Sequence, residues 1–245
     1  MRRKKLAAVF FAALTVLSFA ASAGAVDGTI EINQAKVNAA GGFPYTISNA
    51  GSYRLTGDLT VSSTSADAID VKAGQVSIDL NGFSITGPGS SSLGTGISGY
   101  VETSLAVEDG VVSGFSTGIA VGENSIVKSV RADANINGIS TNSNAVIQGC
   151  TANRNTQTGI EGSDGTVISG NTVNFNQAGI FCAGSGCLVS GNTIDHNSSL
   201  GLNFFDATSA YGGNVLNGNN GGGASINNGT SIGAKNTNLC NGTAC

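Results

Sequence analysis

The side chains of this 245-residue chain that could do chemistry form one loose group. Arg131, Asp133 and Arg154 fall within two successive repeat units, and Asp195 and the only histidine, His196, follow two units beyond Arg154. This is the best local basic cluster in the sequence. It is what an anionic polysaccharide would need on a chain that is acidic elsewhere. The acids are too dispersed for metal or glycosidase chemistry. Asp133 and Asp195 lie three units apart, roughly 14 Å at the spacing of adjacent β-strands. Ligands of one calcium ion each sit about 2.3–2.6 Å from it, and a glycosidase pair needs about 5–9.5 Å between carboxyls. Asp79 and Glu108 could come closer, on adjacent units, but a long insertion at residues 87–103 separates them. Lys128 follows Glu108 one unit later and reads as its ordinary ion-pair partner. No catalytic set, metal site or cofactor is expected.

Five cysteines complete the reactive inventory. Cys182 and Cys187, and again Cys240 and Cys245, are separated by four residues. In an oxidising compartment both spacings read as local disulfides. No Cys-x-x-Cys redox motif is present, and Cys150 is left over as a buried thiol at a turn.

The elements that position these residues are repeats. Glycine-aliphatic pairs recur at Gly96-Ile97, Gly118-Ile119, Gly138-Ile139, Gly159-Ile160, Gly179-Ile180 and Gly201-Leu202, at intervals of 22, 20, 21, 20 and 22 residues. A period in this range marks a solenoid. The units starting at Ile126, Val146, Val167 and Leu188 align without gaps, each as short alternating runs broken by turns. Such runs are strands rather than helices. Three short strands per unit describe a parallel β-helix. Val127, Ile147, Ile168 and Val189 should then form one inward stack. Ala132, Ala152, Val173 and Ile194 form a second, and Ile139, Ile160, Ile180 and Leu202 a third. Asn135, Asn155, Asn176 and Asn197 fall at one turn and Asn171, Asn192 and Asn214 at another, where stacked amides can bond along the axis. The glycine before each isoleucine is expected to supply a turn with positive φ. Outward columns are Arg131, Thr151, Thr172, Thr193 and, beside it, Asp133, Asn153, Asn174, Asp195. Phe181, Phe204, Phe205 and Tyr211 could stack on sugars but read first as core or end cap.

The phrases Ile78-Asp-Leu-Asn-Gly-Phe-Ser-Ile85, Val167-Ile-Ser-Gly-Asn-Thr-Val173 and Leu188-Val-Ser-Gly-Asn-Thr-Ile194 carry a resemblance. The chain resembles the right-handed parallel β-helix, pectate-lyase-like superfamily, over roughly residues 45–221. The resemblance implies an all-β, right-handed, single-stranded solenoid of about 20–22 residues per coil. Its members include polysaccharide lyases, glycosidases, epimerases and adhesins. Ile194-Asp-His-Asn197 lacks the proline and final acid of the Asp-Pro-His-Asp motif of alginate epimerases, so epimerase roles do not carry over. The paired aspartates and Gly-His-Gly of polygalacturonases are absent too.

Residues 1–25 read as a secretory signal peptide: Arg2, Arg3, Lys4 and Lys5, an apolar run, then small residues. The run is too short to span a bilayer, and no other apolar run reaches spanning length. Removing it leaves 7 Lys+Arg against 15 Asp+Glu, a net charge near −8. Such a balance argues against nucleic acid, which needs a basic patch. Residues 26–50 should cap the solenoid, 51–221 form it and 222–245 make a degenerate tail. The expectation is an exported monomer that binds a glycan or serves an envelope or surface role without catalysis. A polysaccharide lyase or epimerase, and a purely structural module, are the alternatives.

Overall fold

The computed structural model of the protein describes residues 28–89, 91–223, 225–231 and 238–245. The expected signal peptide lies outside the described residues. The chain is a nearly all-β parallel solenoid of about 9 turns, with about 22 residues per turn. Among the described residues one sheet has 18 strands and the other nine. The first contributes two short strands per turn over most of its length. Ala106–Ser113 and Ile126–Asp133 are each one strand of eight residues. In later turns the same span is broken, as in Val146–Gln148 and Thr151–Asn153.

All three expected inward stacks form. Val107, Val127, Ile147, Ile168 and Val189 are in register and buried. So are Val112, Ala132, Ala152, Val173, Ile194 and Leu216. The nine-stranded sheet adds Ile97, Ile119, Ile139, Ile160, Ile180 and Leu202. Alternation in each strand puts one member of each apolar pair inside, and stacking gives it like neighbours above and below. No single turn could bury these faces alone, so stability resides in the array.

The repeated glycines hold a different place from the one expected. Gly96, Gly118, Gly138, Gly159, Gly179 and Gly201 do not adopt positive φ. They are buried where backbones crowd. A Cβ on Gly138 would lie 2.4 Å from the carbonyl oxygen of Gly159 and 2.8 Å from Asn155 Nδ2. Close approach, not turn conformation, is what requires glycine there.

Both asparagine ladders form and run further than expected. Asn135, Asn155, Asn176, Asn197 and Asn219 make one, and Asn171, Asn192, Asn214 and Asn238 the other. The inner rungs repeat one pattern. Asn176 Nδ2 donates to Asn197 Oδ1 (3.0 Å) and to the Ala152 carbonyl (3.1 Å), while its Oδ1 accepts from Asn155 N and Nδ2. The buried amides are thereby satisfied.

The solenoid exceeds the 51–221 boundaries. Ile30–Ile32 pairs with Tyr53–Leu55, and Tyr45–Ile47 with Ile69–Val71, so residues 30–47 already belong to the first turn. That turn carries the helix Gln34–Ala39, capped by the Asn33 side chain and anchored by buried Val37. The 87–103 segment is not a free insertion: Thr95–Gly99 is a regular strand of the nine-stranded sheet. At the other end Thr230–Ser231 and Leu239–Cys240 pair with the preceding turn. Leu239–Cys240 then folds back antiparallel on Thr243–Ala244, and the Cys240–Cys245 disulfide closes this hairpin.

Of the two expected bridges, only Cys240–Cys245 is formed in the structure. Cys182 and Cys187 are buried free thiols, and Cys187 Sγ donates to the Ser163 carbonyl at 3.3 Å. The neighbouring Cys182 pushes the Cys187 thiol down despite burial, while Cys187 and burial push Cys182 up. Cys150 is a buried free thiol, raised to about 11 by burial. It stands in for a ladder asparagine: its N–H donates to Asn171 Oδ1 at 2.8 Å.

Candidate functional site

Each central turn of the solenoid has two corners built alike. At each corner a residue in the left-handed conformation is followed by a ladder residue pointing inward. At one corner the left-handed position is glycine in four successive turns, Gly149, Gly170, Gly191 and Gly213 (φ +63° to +66°), after Asp109 and Ser129 (φ +57° and +53°) in the two turns before. Glycine is the residue this conformation favours. At the other corner the chain places Ala134, Arg154, Phe175 and His196 (φ +54°, +53°, +56° and +49°) before Gly218 resumes the glycine rule. A left-handed backbone costs a residue with a side chain roughly 1–2 kcal/mol. Such strain, where it persists, points to function.

The backbone holds these residues in a column. Arg154 N donates to Asn174 O (3.1 Å), Phe175 N to Asp195 O (3.1 Å) and His196 N to Asn217 O (2.9 Å). The three side chains project from successive turns, about 4.8 Å apart. All are more than half exposed: 58% for Arg154, 57% for Phe175 and 54% for His196. The Phe175 and His196 rings stack, centroids 5.4 Å apart and planes 20° from parallel. Two residues further along each turn stand Thr156, Gln177 and Ser198. The two columns wall a shallow groove of about 510 Å³, with the asparagine ladder along its base.

Charges gather at one end of the groove. Asp133 accepts from Arg131 (3.2 Å) and from Arg154 (2.5 Å) through Oδ2, and from Asn153 Nδ2 (3.3 Å) through Oδ1. One carboxylate thus orients two guanidinium groups and leaves one positive charge in excess. At the other end His196 Nδ1 lies 2.8 Å from Asp195 Oδ1, which also accepts from Asn217 Nδ2 (3.1 Å).

The structure therefore joins all five residues singled out from the sequence into one surface, Arg131, Asp133 and Arg154 at one end and Asp195 and His196 at the other. The two expected outward columns are in register as read. Asp79 and Glu108 are register neighbours, but Asp79 is engaged by Arg54 at 2.9 Å. Phe175, at the centre, is not among the residues singled out. Its signal was an aromatic in the aligned column of Arg154 and His196, hidden because the column precedes a buried asparagine and reads as a plain turn. Of the aromatics considered, Phe204 is core and stacks on Tyr211, while Phe205 is exposed on another face.

Among the described residues no group of three or more His, Cys, Asp or Glu is placed to hold a metal ion. No described helix is long and apolar enough to cross a membrane. No protein-family model, curated protein or solved structure matches the chain.

Proposed function

We propose that the Arg154–Phe175–His196 corner is a glycan-binding face on an exported β-helix protein, and that it binds without catalysis. The observation that carries this reading is the contrast between the two corners. Along the turns of the groove one corner is glycine throughout, Gly149, Gly170, Gly191 and Gly213, whereas the other carries Arg154, Phe175 and His196, each more than half exposed. An exposed phenyl ring offers a flat apolar surface for the C–H face of a sugar ring. Arg154, Gln177 and Ser198 around it supply hydrogen bonds to hydroxyls, and the excess positive charge beside Asp133 suits an acidic group. A groove open along the solenoid axis suits a polymer better than a small molecule. Export rests on the basic, apolar and small-residue pattern of residues 1–25. Right-handed coiling and kinship with the pectate-lyase-like superfamily rest on the repeat phrases alone.

The test is binding of the mature protein to a panel of neutral and acidic polysaccharides, by affinity electrophoresis and calorimetry. Retardation by at least one polymer, lost in Phe175→Ala and weakened in Arg154→Ala, is the expected result. No binding across the panel, or binding indifferent to Phe175, overturns the reading.

One observation favours a second reading. Asp195 Oδ1 stands 2.8 Å from His196 Nδ1, and Arg154 lies two turns away, about 10 Å, on the side where a sugar carboxylate would be held. Lyase or epimerase action on uronic-acid polymers would use that arrangement. It predicts ultraviolet absorbance from unsaturated sugar for a lyase, or solvent deuterium entering the sugar for an epimerase. Both signals should vanish in His196→Ala.

A further inference from the structure

The imidazole of His196 is clamped between two neighbours. Phe175 stacks on one face. On the other side lies Gly218, the glycine that ends the column. A Cβ there would stand 3.1 Å from His196 Nε2 and Cδ2 and 3.3 Å from Cε1. The ring thus rests against a backbone surface that only glycine can present, at φ +59°. Gly218 is itself tied down from outside the column. Its N–H donates to Asn241 Oδ1 at 2.9 Å. Asn241 sits at the tip of the C-terminal hairpin, in the loop closed by Cys240–Cys245. It is fixed there by Asn241 N to Leu216 O (2.9 Å) and Nδ2 to Gly222 O (3.3 Å).

We propose that Asn241 is a positioning residue for the His196–Phe175 stack: the disulfide-closed hairpin presents its side-chain acceptor to Gly218, and Gly218 in turn sets the plane on which the imidazole rests. The hairpin is then part of the binding face although it touches no ligand. That consequence for binding rests on the glycan reading above; the positioning itself does not. The physical reason is economy of constraint. Exposed rings on a surface turn lose their stack as soon as the next turn can shift, and Gly218 belongs to the last turn before the hairpin. Without a bond from beyond, that corner would be held on one side only.

Because His196 is the only histidine, its two carbon-bound ring protons are assigned without ambiguity by proton NMR. Stacking on Phe175 displaces them upfield, and Phe175→Leu gives the unstacked reference. The full mature chain is compared with Asn241→Gly, Asn241→Asp and Cys240→Ser/Cys245→Ser. Asn241→Gly keeps the left-handed conformation of Asn241 (φ +48°) and removes the acceptor. Asn241→Asp keeps the acceptor. The expected result is a shift partway to the Phe175→Leu values in Asn241→Gly and in the double serine variant, with wild-type values restored in Asn241→Asp. A general loosening of the hairpin would move Asn241→Gly and Asn241→Asp alike, and that outcome overturns the proposal. So does an Asn241→Gly spectrum that superimposes on wild type. Polysaccharide retardation is recorded on the same samples. Shifts that follow the acceptor with no polymer bound by any variant would sink the glycan reading and leave the positioning role standing.

Discussion

Phe175 and Gly170 sit at the two corners of one turn in the same left-handed conformation, φ +56° and +65°. Each is followed by a buried ladder asparagine, Asn176 and Asn171. The fold accepts glycine or a side chain at such a position: Asp109 and Ser129 hold the Gly170 column in earlier turns (φ +57° and +53°).

Phe175→Gly should accordingly stabilise the protein while abolishing ligand binding. Relief of the left-handed strain is worth about 1 kcal/mol, or about 2–4 °C in melting temperature for a chain of this size. Phe175→Ala keeps the strain and should not show the gain. Thermal unfolding of the two variants beside wild type checks this. A lower melting temperature for Phe175→Gly would mean that the ring supports the fold, and the contrast between corners would lose its meaning.

The ladders make an opposite pair of predictions. Asn176→Ala removes a donor and an acceptor between buried partners and should cost about 3 kcal/mol, since each orphaned buried group costs about 1–3 kcal/mol. Cys150→Asn should be tolerated or stabilising. Cys150 Sγ already lies 3.5 Å from the Val127 carbonyl, the equivalent of the Ile147 carbonyl to which the ladder residue Asn171 donates through Nδ2. Chemical denaturation of both variants reads the difference.

Cys182 and Cys187 should oxidise to a second local disulfide. Two neighbouring buried thiols need only lose two electrons and two protons to an oxidant such as oxidised glutathione. Closing so short a loop adds about 2 kcal/mol on the chain-entropy estimate. Alkylation of the denatured, air-oxidised chain should then label Cys150 alone, as peptide masses would show. Labelling of three cysteines would mean that the thiol pair persists.

Glu161 predicts a pH dependence. It is half-buried on the outer side of the nine-stranded sheet, beside Phe181, and burial raises its pKa. An acid whose folded pKa lies above its unfolded value binds protons more tightly in the fold. Its contribution to stability is therefore present in acid and is lost as pH rises through the folded pKa. Glu161→Gln should raise the melting temperature at pH 7 and leave it nearly unchanged below the carboxylate range. An equal gain at both pH values would assign the effect to packing instead.

What the sequence makes legible follows from periodicity. Columns of Ile, Val and Asn repeat with the turn length, so Val127, Ile147 and Ile168 could be stacked on paper, as could both ladders. The reason for a residue is less legible than its place. Gly138 and Gly170 are both glycines at a fixed phase of the repeat, yet one is there for close approach and the other for left-handed φ. Only coordinates separate the two. The same gap hides Phe175. Its position between Arg154 and His196 was visible, but an exposed side chain on a left-handed corner leaves no mark in a linear pattern. Neither does the bond from Asn241 to Gly218, which spans one turn at a place where the repeat has already degenerated.

The two-corner design separates writing from binding. The inward ladder keeps each turn in register whatever stands at the left-handed position before it, since Asn155, Asn176 and Asn197 bond alike behind an arginine, a phenylalanine and a histidine. The corner is thus a line of type that can be reset one character per turn without recasting the page. Copying the Gln157–Gln177 unit in tandem would lengthen the line by one ring and leave its neighbours' contacts as they are.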